Sequence, residues 1–118
     1  MKTIVLGAST NKDRYSYKAT VMLRKYGHEV IAIGKREGMI QDVKIQQDKI
    51  YTDDIHTVAM YLSPENQKEY YDYILSLNPK RIIFNPGTEN PELYKLAKEK
   101  GIEVVEWCVL VMLSVNKY

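Results

Sequence analysis

Apolar positions along this chain switch between short unbroken runs and helical stripes. Thr3-Ile4-Val5-Leu6 is a β-rich run that stops at Gly7, the profile of a strand covered on both faces. Tyr15, Ala19, Met22, Leu23 and Tyr26 then recur at helical spacing and predict a helix, with Gly27 as its stop. Glu29-Val30-Ile31-Ala32-Ile33 predicts a second strand, broken by Gly34. Further along, Thr57 to Leu62, Arg81 to Phe84 and Glu103 to Glu106 repeat the strand pattern. Ser63-Pro64-Glu65 and Asn90-Pro91-Glu92 open helices, each with a capping side chain, a proline at the first turn and an acid near the positive end. The first of these carries Tyr70, Tyr71, Ile74 and Leu77 as its stripe and ends at Asn78-Pro79; Gly101 stops the second. Val109 to Val115 is apolar enough for a covering helix or arm. Residues 35–56 are polar and weakly patterned, with Ile50-Tyr51 as a short edge strand and Asp53-Asp54 in the turn beyond it.

Strands alternating with helices predict an α/β protein: a three-layer Rossmann-like fold with a parallel sheet of about five strands, one domain over residues 1–118. At 118 residues, 45% apolar and 27% charged, the chain can bury one core without metals or cross-links. Its single cysteine, Cys108, forbids an intrachain disulfide and fits a reducing compartment. The apolar run at the amino terminus is too short for a signal peptide, and no stretch approaches a membrane span. A soluble, cytoplasmic protein is therefore expected.

Charge changes this picture at one end. Residues 1–36 hold eight Lys/Arg against two acids, while the remainder holds nine against thirteen. Such a basic first third suits an anionic partner, and the bland alternative is a solvated helix face. In an open parallel sheet a ligand sits beyond the carboxyl ends of the strands. The loop after strand one, Gly7-Ala8-Ser9-Thr10-Asn11-Lys12-Asp13-Arg14-Tyr15-Ser16-Tyr17, has the chemistry for phosphate. Gly7 permits a tight turn, small Ala8 and Ser9 are expected to leave amides uncovered, and Arg14 can close on a phosphate. The competing reading is a polar loop with a helix cap at Ser16. No G-x-G-x-x-G or P-loop pattern is present, and strand two ends in Gly34-Lys35-Arg36 rather than in the acid that reads an NAD ribose. That basic pair favours a phosphorylated ribose, which NADP and coenzyme A both carry.

With these motifs the chain resembles the small stand-alone CoA-binding proteins, which share the Rossmann domain at the amino terminus of the succinyl-CoA synthetase α subunit. Gly7-Ala8-Ser9 with Asn11, Arg14, Ser16 and Tyr17 looks like that family's first loop. Ile50-Tyr51, Tyr61-Leu62-Ser63-Pro64, Asn85-Pro86-Gly87 and Val104-Val105 to Cys108 resemble its later motifs. The resemblance implies that Gly7, Ser9, Arg14 and Ser16 hold a pyrophosphate, and that Lys35 faces the ribose-phosphate. It further implies that Ser63 and Pro64 flank the nucleotide, and that Gly87 lets the pantetheine arm pass close to the backbone. Two departures stand out: Gly34-Lys35 where the family shows Asn-Pro, and Val109 where it often has proline after the cysteine.

Other residues add less. Cys108 follows the last strand, where the functional reading is a thiol beside the pantetheine sulfur and the default is a buried, inert side chain. His28 and His56 fall at strand amino ends without metal-ligand company. Asp53-Asp54 and Glu89 are expected to be solvated carboxylates, and the tyrosines at 15, 26, 70, 71 and 94 to serve core packing or an oligomer face. The expected ligand is therefore coenzyme A or an acyl-CoA, bound by a module with no evident catalytic or metal site. The alternatives are an NADP-dependent reductase, a component of a CoA ligase or transferase, or an interaction protein with a vestigial site. Neither nucleic acid nor membrane is expected as a partner; a homo-oligomer or a protein partner is left open.

Overall fold

Seven strands form one sheet, two more than the hydrophobic pattern predicts. The computed structural model describes all residues, 1–118. In chain order the strands are β1 (Thr3–Leu6), β2 (Val30–Ile33), β3 (Gly38–Ile40), β4 (Val43–Gln46), β5 (Thr57–Met60), β6 (Arg81–Phe84) and β7 (Glu103–Glu106). Their order across the sheet is β3-β4-β2-β1-β5-β6-β7, with every pair parallel except β3 with β4. The added strands come from the stretch expected to lack structure. In β4, buried Val43 and Ile45 alternate with exposed Lys44, a half-buried edge pattern only four residues long and easily lost among polar neighbours. The expected edge strand at Ile50-Tyr51 does not form. The Ile50 carbonyl instead accepts the Tyr73 hydroxyl, and the exposed Tyr51 ring packs edge-on against Tyr73 at 5.1 Å.

Helices α1 (Tyr15–Lys25) and α5 (Val109–Ser114) cover one face. On the other lie α2 (Pro64–Gln67), a 3₁₀ turn (Lys68–Tyr70), α3 (Tyr71–Leu77) and α4 (Pro91–Glu99). Strand register sorts the core cleanly. Ile4 pairs with Ile31 and Val58, and Val58 with Ile82, all toward α3 and α4. The next row, Val5, Ala32, Ala59 and Ile83, faces α1 and α5. Its small side chains let α1 settle close through buried Ala19 and Leu23. The buried stripe of α1 is Ser16, Ala19, Thr20 and Leu23, so Tyr15 and Tyr26 lie outside the core at 68% and 47% exposure. In α3 the fully buried aromatic is Tyr73, which the expected stripe omits, while Tyr70 and Tyr71 are half-buried and pack against the same core. The apolar carboxyl-terminal segment is a helix, not an arm. No helix is long and apolar enough to cross a membrane.

The chain builds outward from β1 through β2 to β4, then returns to build β5, β6 and β7 on the other side. Order therefore reverses between β1 and β5, and the crevice beyond their carboxyl ends is the place where such a sheet can receive a ligand.

Candidate functional site

An open cleft of about 1180 Å³ lies over that switch point, lined by the loops that follow β1, β2, β5, β6 and β7. Glycines set its floor. Gly7 has φ +101°, and a Cβ there would come within 3.1–3.2 Å of the Tyr61–Leu62 backbone. A side chain at position 7 would therefore strike the exit of β5. At Gly34 a Cβ would lie 2.3 Å from the Ala8 carbonyl oxygen, so only glycine lets the end of β2 pass beneath the first loop.

The first loop is more ordered than its polarity suggests. The amides of Gly7 and Ala8 both donate to the Ile33 carbonyl at 2.9 Å, so Ala8 does not present a free amide. Ser9 Oγ accepts the Asn11 amide at 3.0 Å, and Asn11 Oδ1 accepts the Asp13 amide at 3.0 Å. These two side chains shape the loop, as short polar residues do in turns. The amides of Ser9 and Thr10 remain without an acceptor, as do those of Tyr15, Ser16 and Tyr17 in the first turn of α1. Arg14 occupies the cap position of α1 without making a side-chain cap, and Ser16 is buried within the first turn and is not itself the cap. Free amides at the positive end of an eleven-residue helix can hold an anion.

Cations without partners surround this helix start. The two ion pairs of the molecule, Lys2–Glu29 and Arg24–Asp42, leave Arg14, Lys35 and Arg36 unpaired at the cleft. A single carboxylate, Glu69, lines the same space. Unpaired charge of one sign in a concave site concentrates ligands of the other.

The far wall is held from behind by buried polar groups that the sequence pattern does not single out. Gln67, fully buried, donates to the carbonyls of Leu62 and Thr88 at 2.9 and 2.8 Å. Asn90 donates to Gln67 Oε1 and to the Tyr71 hydroxyl, while its own oxygen caps α4 at the Leu93 amide. Asn85 ties three elements: its Nδ2 donates to the Met60 carbonyl, and its Oδ1 accepts the Val109 amide at the start of α5. These bonds tie Gln67, Asn85 and Asn90 to the surrounding backbone and fix the loops after β5 and β6. Gly87 has φ +93° with open space where a Cβ would be, and Glu89 accepts its amide at 2.9 Å. Ser63 takes the cap position of α2 but receives a bond from the Asn66 side chain instead of capping with its own.

Twelve of the fourteen residues singled out from the sequence line the cleft, while Tyr17 and Pro64 fall outside it. Cys108 corrects the expectation of a buried thiol: it is half-buried and lines the cleft at the entry to α5. Sequence reasoning missed Tyr61 as a wall residue of its own. Its hydroxyl is buried without a partner, and burial pushes its ionisation well above the usual phenol value, so it stays protonated. Asn66, Glu69 and Tyr70 were also missed, since they sit on the single turn of α2 and the 3₁₀ turn after it, which carry no periodic signal. His28 and His56 lie at the opposite edge, as their place in the sequence implies.

A doubly wound sheet with a glycine-turned loop, a free helix start and unpaired cations at its switch point defines a Rossmann-like domain with a positively charged cleft. More particularly, the chain belongs to the CoA binding domain family, whose model matches residues 1–114. A solved structure of an uncharacterized protein shares 45% identity and superposes with a TM-score of 0.96, covering 99% of this chain and 97% of its own. A hypothetical protein from Pyrococcus horikoshii OT3 is similar at 22% identity and TM-score 0.87, over 97% of this chain and 82% of its own. A protein from Thermus thermophilus is similar at 23% and 0.85, over 99% and 90%. These last two establish the fold alone. No curated protein matches the chain.

Proposed function

We propose that this cleft binds coenzyme A or an acyl-CoA, phosphates on the first loop and thiol end toward Cys108. The observation that carries the reading is the order of chemistry along the sheet edge. Lys35 and Arg36 follow β2, the free amides and Arg14 follow β1, neutral Ser63 and Gly87 follow β5 and β6, and Cys108 with Val111 follows β7. Four strand spacings separate β2 from β7, about 19 Å at the usual strand separation. A ligand that is polyanionic at one end and continues as a long neutral arm to a thiol matches that order. Membership of the CoA binding domain family supports the same ligand.

The pyrophosphate sits, in this reading, on the amides of Ser9 and Thr10 and the start of α1, with Arg14 closing from outside. The ribose-phosphate meets Lys35 and Arg36. NADP satisfies the basic end equally well but has no arm and thiol for the β6–β7 end. A thermal-shift panel with CoA, acetyl-CoA, NADP and AMP separates the candidates. A ligand at 100 times its Kd stabilises the folded state by about 2.7 kcal/mol, which raises Tm by several degrees for a domain of this size. CoA is expected to give the largest shift, AMP the smallest. A larger shift with NADP than with CoA overturns the assignment.

A further inference from the structure

The segment 34–37 that joins β2 to β3 carries the two cations of the basic end, and it packs closely against the first loop at both of its ends. At one end, Gly34 lies directly under Ala8, with 2.3 Å between a Cβ built there and the Ala8 carbonyl oxygen, and its amide donates to the Gln46 carbonyl at 2.9 Å. At the other, a Cβ on Gly38 would stand 2.5 Å from Thr10 Cγ2, so the hairpin of β3 and β4 abuts the side chain of the first loop. Between them, the Gln47 side chain donates to the Lys35 carbonyl at 2.7 Å. Lys35 and Arg36 are themselves exposed and unpaired, so nothing but these backbone ties fixes where their charges sit.

From this we infer that Gln47 and Gly38 are positioning residues that set ligand specificity: Gln47 ties the strap 34–37 to the end of β4 and Gly38 lets it pack beside Thr10, at a fixed offset between two phosphate-binding places. The inference rests on the CoA reading and adds to it the residues that decide between CoA and its analogue without the ribose phosphate. Discrimination between two ligands is a difference of affinities, and a flexible cation makes little of it because ordering the side chain and its backbone offsets the contact. A strap held by two hydrogen bonds and packed against Thr10 has already lost that freedom. Neither residue touches the cleft, as both lie outside its lining.

The test is titration calorimetry with CoA and dephospho-CoA on the intact protein. Wild type is expected to prefer CoA by roughly tenfold or more, the loss of one charge-assisted contact. Gln47→Ala frees the Lys35 carbonyl and should shrink that ratio at least threefold, leaving the affinity for dephospho-CoA unchanged. Gly38→Ala should shrink it as well, by pushing the strap away from the Thr10 methyl group. Gly38→Ala/Thr10→Ser should restore it, because the next atom, Thr10 Cβ, is 3.9 Å away and makes only an ordinary contact. A merely structural role would lower both affinities together and leave their ratio unchanged. A wild-type preference that persists unchanged in Gln47→Ala and Gly38→Ala overturns the inference and leaves the CoA reading intact. Equal wild-type affinities for the two ligands also overturn it. A wild type that binds neither ligand overturns the CoA reading itself.

Discussion

The two ends of this sheet hold similar groups and use them oppositely. At the amino edge, Arg81 is buried, donates from Nε to Thr57 Oγ1 at 2.7 Å and lies 4.5 Å from the centre of the Tyr118 ring. The Tyr118 hydroxyl meets Thr3 Oγ1 at 2.6 Å, His28 Nδ1 meets the terminal ammonium at 2.6 Å, and His56 Nδ1 meets Thr57 Oγ1 at 2.8 Å. At the carboxyl edge, Arg14, Lys35 and Arg36 have no ionic partner, and five amides face outward without an acceptor. Cations, hydroxyls and aromatic rings thus occur at both edges. What separates the two edges is whether those groups are already satisfied. Counting charged residues does not make that distinction; counting partners does.

The harshest way to break the comparison is to add one methyl group to each edge. Gly34→Ala at the carboxyl edge drives a Cβ to within 2.3 Å of a backbone oxygen that has no room to move. The expected loss lies at or above the top of the roughly 1–3 kcal/mol range for overpacking. Gly101→Ala, at the start of β7, meets open space and strains only its φ of +76°. That should cost about 1–2 kcal/mol. Urea denaturation of both variants checks the ranking, and a Gly101→Ala protein less stable than Gly34→Ala refutes it.

A pair of arginine substitutions sharpens the contrast. Arg81→Ala removes a buried guanidinium with its hydroxyl bond and aromatic contact, for an expected loss of about 2–3 kcal/mol in stability and no change in CoA affinity. Arg14→Ala should do the reverse. Its side chain is exposed, so stability should stay within about 0.5 kcal/mol, while CoA affinity falls roughly tenfold. Denaturation and calorimetry on the same two proteins decide the matter. An Arg14→Ala variant with full affinity would remove this residue from the site.

Much of the fold was legible because the central strands are buried on both faces and written as unbroken apolar runs. Ile4, Val5 and Leu6, or Ile82, Ile83 and Phe84, signal a strand whichever way they face. The hairpin of β3 and β4 escaped since its strands are three and four residues long and one face is solvated. At the site, glycines and cations were visible as residue types in predicted loops. What could not be seen was partnership. The amide of Ala8 looked free and is bonded to Ile33, whereas the seat that Gly38 makes for Thr10 joins residues 28 positions apart. Gln67, Asn85 and Asn90 read as ordinary polar residues, and only the packing of α2, β6 and α4 makes them a buried network.

The mildest test uses protons. Both histidines belong to the amino edge, and both are held below the ordinary histidine value. Burial is the first cause in each; the terminal ammonium then Arg81 add to it for His28, and Arg81 then the ammonium for His56. An unfolded chain protonates these rings near pH 6.5, while the folded chain resists. Below that point the unfolded state binds more protons, so stability must fall as pH drops through about 6.5 and keep falling until the native rings titrate. Asp42 and Glu65, whose folded values are lowered, contribute in a separate window below about pH 4.5. Denaturation midpoints at pH 7.5, 6.5 and 5.5 should decline steadily for wild type. His28→Gln/His56→Gln should flatten that decline, since glutamine keeps a polar group at each position and titrates nowhere. A wild-type midpoint that holds constant from pH 7.5 to 5.5 would mean these rings are as solvated in the native state as in the unfolded one, and the amino edge less closed than its contacts imply.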